Sequence, residues 1–247
     1  MKHLKSQLKL AAAITLALSS LASTARAEDA KPDNEVSFNA AVTTDYRYRG
    51  ISQSRLKPAL QGGADYVNNP TGFYLGTWAS TIHWIKDSGG DGNIEWDIYG
   101  GKKGEIAKGI TYDVGGLYYL YPSNSLSPSA NTFELYGQVG YGPGYIKYSH
   151  STTNLFGFAD SKNSGYLDVG ANIDIGTGLV LNLHAGHQKV KRHDAASYTD
   201  YKIGVTKDFG ICSVSLAAVH ANTDAYFSPS GKNLGKTGAV LSVSKTF

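Results

Sequence analysis

The sequence predicts an all-β fold: a transmembrane up-and-down antiparallel β-barrel of twelve strands, with both termini on the periplasmic side. Three observations carry that expectation. Apolar and polar residues alternate with period 2 through most of the chain, which is how a strand between two different environments reads. The connections between these stretches alternate strictly between long polar loops and tight turns, beginning and ending with a long one. The N-terminus has the form of an export signal, and no run of 18 apolar residues follows that could form a membrane-spanning helix.

The export signal bounds the domain. "MKHLKSQLK" is a basic n-region, "LAAAITLALSSLA" is an apolar run shorter than a comfortable bilayer span, and "ARA" at 25–27 fits small-x-small cleavage. Residues 1–27 are therefore expected to be a cleaved signal peptide, 28–35 a short periplasmic segment and 36–247 the barrel. Cleavage would remove Lys2, Lys5, Lys9 and Arg26 from 23 basic residues, leaving 19 against 20 acids, a net charge of −1. The basicity of the whole chain thus belongs to its leader, and nothing in it argues for nucleic acid. The single cysteine, Cys212, cannot form an internal disulfide. Seventeen tyrosines and 29 glycines exceed ordinary usage.

Period-2 stretches place strands at 36–49, 59–67, 73–84, 93–101, 110–121, 132–141, 144–150, 166–175, 179–190, 198–209, 211–222 and 236–247. Five connections are tight: "NNPTG", "KKGEIAKG", "GPG", "GTG" and the turn at Gly210, each with residues that supply turn dihedrals. Six are long and polar, the longest being "STTNLFGFADSKNSG". Short turns at one rim and long loops at the other are the habit of outer-membrane barrels. Val36, Phe38, Ala40, Val42, Tyr46 and Tyr48 share one face of the first strand, and Ser37, Asn39, Thr43, Asp45, Arg47 and Arg49 the other. In lipid the apolar face would point out and the polar face would line the lumen. Tyr46, Tyr48, Trp84, Tyr121, Tyr141, Tyr198, Phe209 and Phe247 lie near strand ends and are expected in aromatic girdles. Trp78 suits either face.

The blocks "TTDYRYRGISQS…PALQGGADY", "GFYLGTWAS", "YDVGGLYYLYP", "YSHSTTNLFG" and "YTDYKIGVTKDFG" resemble the TorF family of outer-membrane porins over nearly the whole chain after residue 36. The resemblance implies a barrel with a channel role, names no solute and supplies no catalytic residue.

The expected lumen lining is Asp45, Arg47, Arg49, Glu95, Asp97, Asp113, Glu134, Lys147, Asp168, Lys202 and Lys236, with Asp65, Asp174 and Asp200 also inward. Arg47, Arg49 and Lys236, with Arg55 and Lys57 in the first loop, would make one side of the outer mouth basic, with Glu95 and Asp97 elsewhere around the wall at similar height. Two readings fit such charges: a transverse field that orients solutes, or salt bridges that brace the wall. Leu155, Phe156 and Phe158 form an apolar patch in the longest loop and could fold inward as a constriction. The terminal "AVLSVSKTF", ending in Phe247, resembles the strand read by the outer-membrane assembly machinery, although Lys245 is unusual in it. No GxSxG occurs, and His150 and Ser151 must face opposite sides of a strand, as must His184 and His187. The expected function is passive diffusion of small hydrophilic solutes across the outer membrane, with no enzyme activity, cofactor or metal. The alternative is a non-conducting barrel that acts structurally or binds through its external loops. A soluble periplasmic barrel would reverse the faces.

Overall fold

The computed structural model describes residues 32–247, so the export signal lies outside the described residues. The elements are β1 (Asn34–Thr43), β2 (Arg47–Tyr48), β3 (Ile51–Ser52), β4 (Ala59–Asn68), β5 (Phe73–Thr81), α1 (Trp84–Asp87), β6 (Ile94–Ala107) and β7 (Ile110–Leu120). There follow β8 (Thr132–Tyr141), β9 (Gly144–Ser151), β10 (Gly165–Gly176), β11 (Leu179–Lys189), β12 (Tyr198–Asp208), β13 (Ser213–Ala221) and β14 (Gly238–Thr246). Twelve of the strands form one closed antiparallel barrel in sequence order, and β2 and β3 pair separately. Closure runs through β1 and β14, in register from Asn39↔Thr246 to Thr43↔Ser242. Phe38 and Phe247 extend the seam by exchanging two backbone hydrogen bonds of 3.2 and 2.8 Å. Among the described residues the barrel itself leaves no open sheet edge, which is the requirement a hydrocarbon surrounding would impose.

The barrel is polar inside and apolar outside. Val36, Phe38, Val42, Leu75, Leu135, Ile146, Leu167 and Ile203 are exposed on the outer face, whereas Glu95, Glu134, Asp168 and Asp200 are buried within. This inverts a water-soluble barrel. Long connections gather at one end, hereafter the loop end, and turns at the other. The turn end carries tight reversals such as Thr177–Gly178, with φ of 55° and 72°.

The Tyr and Gly excess has a packing cause. Inward tyrosines lie along the wall over glycines of the neighbouring strand, where no Cβ blocks the ring. A Cβ on Gly76 would sit 2.3 Å from the Tyr99 ring, and one on Gly186 would sit 2.0 Å from the Tyr166 hydroxyl. Tyr74 on Gly101, Tyr136 on Gly115 and Tyr145 on Gly170 repeat the arrangement. Rings laid flat line the wall without filling the lumen.

Four expectations are corrected. The first strand ends at Thr43, not at 49, and residues 45–54 turn inward. Alternation continues past Thr43 because β2 and β3 are themselves strands, so the pattern alone shows no break. Tyr46, Tyr121 and Tyr198 are buried inside the barrel at 6, 3 and 6% exposure, and Tyr48 and Trp84 pack against the cluster that holds Tyr46 and Tyr121. They form no outer girdle; Tyr141, Phe209 and Phe247 do lie exposed outside. "KKGEIAKG" is mostly strand: β6 runs to Ala107, with a bulge between Glu105 and Ala107, because β7 offers ladder partners throughout. Trp84 opens α1 instead of ending a strand, and Trp78 faces inward, buried.

Candidate functional site

The lumen is crossed near the loop end by the hairpin of residues 45–54. Its strands pair Arg47↔Ser52 and Tyr48↔Ile51. The two turn residues, Arg49 and Gly50, both have positive φ, 45° and 80°. Positive φ at both central positions is the requirement of a type I′ turn, whose twist matches that of paired strands. Glycine at the second is also forced by contact: a Cβ there would lie 2.6 Å from the Asp200 Cβ and 3.0 Å from that of Ala221. The tip therefore abuts the wall at β12 and β13, two and three strands round the barrel from β1.

Side chains, not a ladder, tie the hairpin to the wall. The Arg49 guanidinium donates to both carboxylate oxygens of Glu134 on β8, at 3.0 and 2.6 Å, and to Gln188 Oε1 on β11 at 2.6 Å. It also stacks 4.2 Å from the centre of the Tyr166 ring and 4.8 Å from that of Tyr48. The Tyr48 hydroxyl shares a 2.6 Å hydrogen bond with that of Tyr119, which donates on to Glu134 at 3.3 Å. The Tyr46 hydroxyl donates to Glu95 at 2.6 Å. Arg47 stays within its own neighbourhood, donating to Asp45 at 2.5 Å and to the carbonyls of Gly50, Leu234 and Lys236. The second loop clamps the hairpin from above, since the amides of His83 and Trp84 both donate to the Gln53 carbonyl.

On the turn-end side of the hairpin lies a chamber of about 120 Å³ lined by Asp97, Lys147, Asp168, His184 and Lys202 among others. His184 bridges two carboxylates, with Nδ1 2.8 Å from Asp168 and Nε2 2.7 Å from Asp200. Lys147 sits 4.1 Å over the Tyr136 ring. Asp97 Oδ1 is buried with no hydrogen-bond partner among the described residues. Further toward the turn end, Asp113 accepts the Tyr74 hydroxyl at 2.6 Å. On the loop-end side is a second space of about 300 Å³, with Tyr48 forming part of both linings.

Of the residues singled out from sequence, Glu95, Asp97, Asp113, Glu134, Lys147, Asp168 and Lys202 point inward from the wall, and Asp45, Arg47 and Arg49 belong to the hairpin. Lys236 is a correction: it precedes β14, its side chain is exposed, and it offers the site only a carbonyl. Asp174 is likewise exposed, near the turn end. Leu155 is buried, and Phe156 packs edge-on against Tyr48, Tyr119 and Tyr121. Phe158 meets the His193 ring at 5.2 Å. Phe247 lies at the closing seam. Sequence reasoning missed Tyr119, His184 and Gln188 as site residues; each lay on a polar face, but only the hairpin's position makes them matter.

Outside the barrel wall, burial and the nearby Arg55, Lys57 and Lys86 push the His83 imidazole below its ordinary pKa. Arg55 itself is paired with Asp87, the last residue of α1. The basic mouth expected from sequence is thus largely neutralised: Arg47, Arg49 and Arg55 each carry an acidic partner.

The model of a family described as "Bacterial protein of unknown function (Gcw_chp)" matches residues 26–247, and the chain belongs to that family. A search of curated proteins finds no match. Among solved structures, the KdgM porin aligns with a TM-score of 0.56 at 6% identity, covering 85% of this chain and 98% of its own. The NanC porin aligns with a TM-score of 0.54 at 7% identity, covering 86% and 98%. At such identity the likeness is one of fold: the chain is a porin-like barrel. The family match carries a different description from the TorF resemblance.

Proposed function

We propose that this member of the Gcw_chp family is an outer-membrane channel for passive diffusion of small hydrophilic solutes, with the hairpin of residues 45–54 as its constriction. One observation carries the reading: an apolar outer face encloses a charged, glycine-recessed lumen. Burying that outer surface in lipid recovers about 25 cal/mol per Å², whereas water on both faces would leave it exposed. The lumen offers hydrogen-bonding groups to a solute that has left bulk water. In this reading the export signal is cleaved, lipid surrounds the wall, and the assembly machinery reads the strand ending at Phe247. The loop end faces outward and both termini are periplasmic.

The hairpin also favours a second reading, a non-conducting barrel, because it spans the lumen and is anchored on several strands. Conductance in planar bilayers separates the two. Folded protein, shown by heat-modifiable migration, is expected to give small discrete steps. Folded protein that inserts without steps would support the non-conducting barrel and refute the channel.

A further inference from the structure

The loop-end space of about 300 Å³ is built unlike the chamber beneath it. Its walls are aromatic and aliphatic. On one side Trp84 meets Tyr121 edge-on at 5.0 Å, and Tyr121 and Tyr48 both meet Phe156 edge-on. On the other side Tyr198 meets Tyr226 edge-on at 5.4 Å, packed with Ile51 and Leu234. Each group satisfies its own rings in the geometry aromatic pairs prefer. Neither group fills the space between them.

The polar groups in this lining are few and carry no free charge. The acid, Asp87, is held by Arg55. Gln188 accepts from Arg49, and Ser52 donates to Asp45. The Gln53 side-chain amide donates to the nearby Ile51 carbonyl at 3.0 Å. A space this size with apolar walls and a few amide and hydroxyl groups has the dimensions and chemistry of a small-molecule site. A charged ligand would leave water without gaining a counter-ion, which is costly. A neutral ring with one hydroxyl would lose little.

We propose that the loop end holds a binding site for a small neutral aromatic compound bearing a hydroxyl or comparable polar group, seated between the Trp84–Tyr121–Phe156 wall and the Tyr198–Tyr226 wall. Its floor is Tyr48 of the hairpin. The site stands whether or not the lumen conducts, because the binding surface lies entirely on the loop-end side.

Benzyl alcohol is the probe, titrated calorimetrically into the full chain folded in detergent, with the heat of partition into empty micelles subtracted. Saturable one-to-one binding is expected, at least tenfold tighter than for benzoate. Ala225 is exposed and borders the space, so Ala225→Trp should fill it and abolish saturation while leaving heat-modifiable migration intact. Should that variant not fold, Phe158→Ala, which removes part of the wall, is expected to weaken binding at least fivefold. Unsaturable heat in the wild type, equal binding of benzoate, or unchanged affinity in the folded variants would each overturn the proposal.

Discussion

Replacing Arg49 by Ala tests whether the hairpin is the constriction. Arg49 and Glu134 side chains are 6 and 2% exposed, and the pair is bidentate. Removing one partner of such a pair leaves an unpaired buried carboxylate, at a cost of about 3–5 kcal/mol. The contact with Gln188 and the stack on Tyr166 go with it. All of these are made in the docked hairpin and lost when it leaves the wall. The docked form is therefore disfavoured by at least about 3 kcal/mol, or about 150-fold in its ratio to the undocked form. In single-channel recording the variant is expected to show a larger conductance, or frequent transitions into a larger state. The double variant Arg49→Ala/Glu134→Ala removes both charges and should recover part of the lost stability, measured by urea unfolding in detergent, while keeping the enlarged conductance. A folded Arg49→Ala protein with wild-type conductance and open times would refute the reasoning, because the anchor would then restrain nothing that limits passage.

Other substitutions probe the remaining contacts. Tyr46→Phe removes the 2.6 Å donor to buried Glu95 and should lower stability by about 1–3 kcal/mol, read from the urea midpoint. Gly76→Val has no room beside the Tyr99 ring. It should cost about 1–3 kcal/mol and narrow the conductance as the ring swings inward; unchanged stability and conductance would mean that the tyrosine does not depend on the glycine recess. Leu135→Arg places a charge on the outer apolar face and should cost about 2–4 kcal/mol in lipid vesicles. Gln138→Arg, on the inner face of the same strand, should perturb ion selectivity far more than stability, and equal stability losses for the two would contradict the lipid-facing assignment.

Strand number and loop sorting were legible because both are local. Side chains alternate with the backbone pleat, so Ile94, Trp96 and Ile98 against Glu95 and Asp97 declare a two-faced strand without any partner in view. Gly210 and "GPG" declare turns through their own dihedral freedom. The inward positions of Glu134, Lys147 and Asp168 followed from the same parity. Period 2 is equally satisfied by a short hairpin inside a barrel, and so "DYRYRG" read as the end of a wall strand. Its alternation was real, but its environment was not the one assigned to it.

By itself, then, the sequence determined a two-faced strand repeat with alternating turns and loops, and with it twelve strands that close without an edge. Only the tertiary structure decided what those strands enclose. Arg49 and Glu134 are 85 residues apart, and Tyr48 and Tyr119 are 71 apart. No local pattern records that they meet. Closure brings distant strands to one level of a narrow lumen, and there a buried guanidinium must find a carboxylate or remain costly. That requirement, set by the space inside the barrel, makes Arg49 the anchor of the hairpin that crosses the lumen.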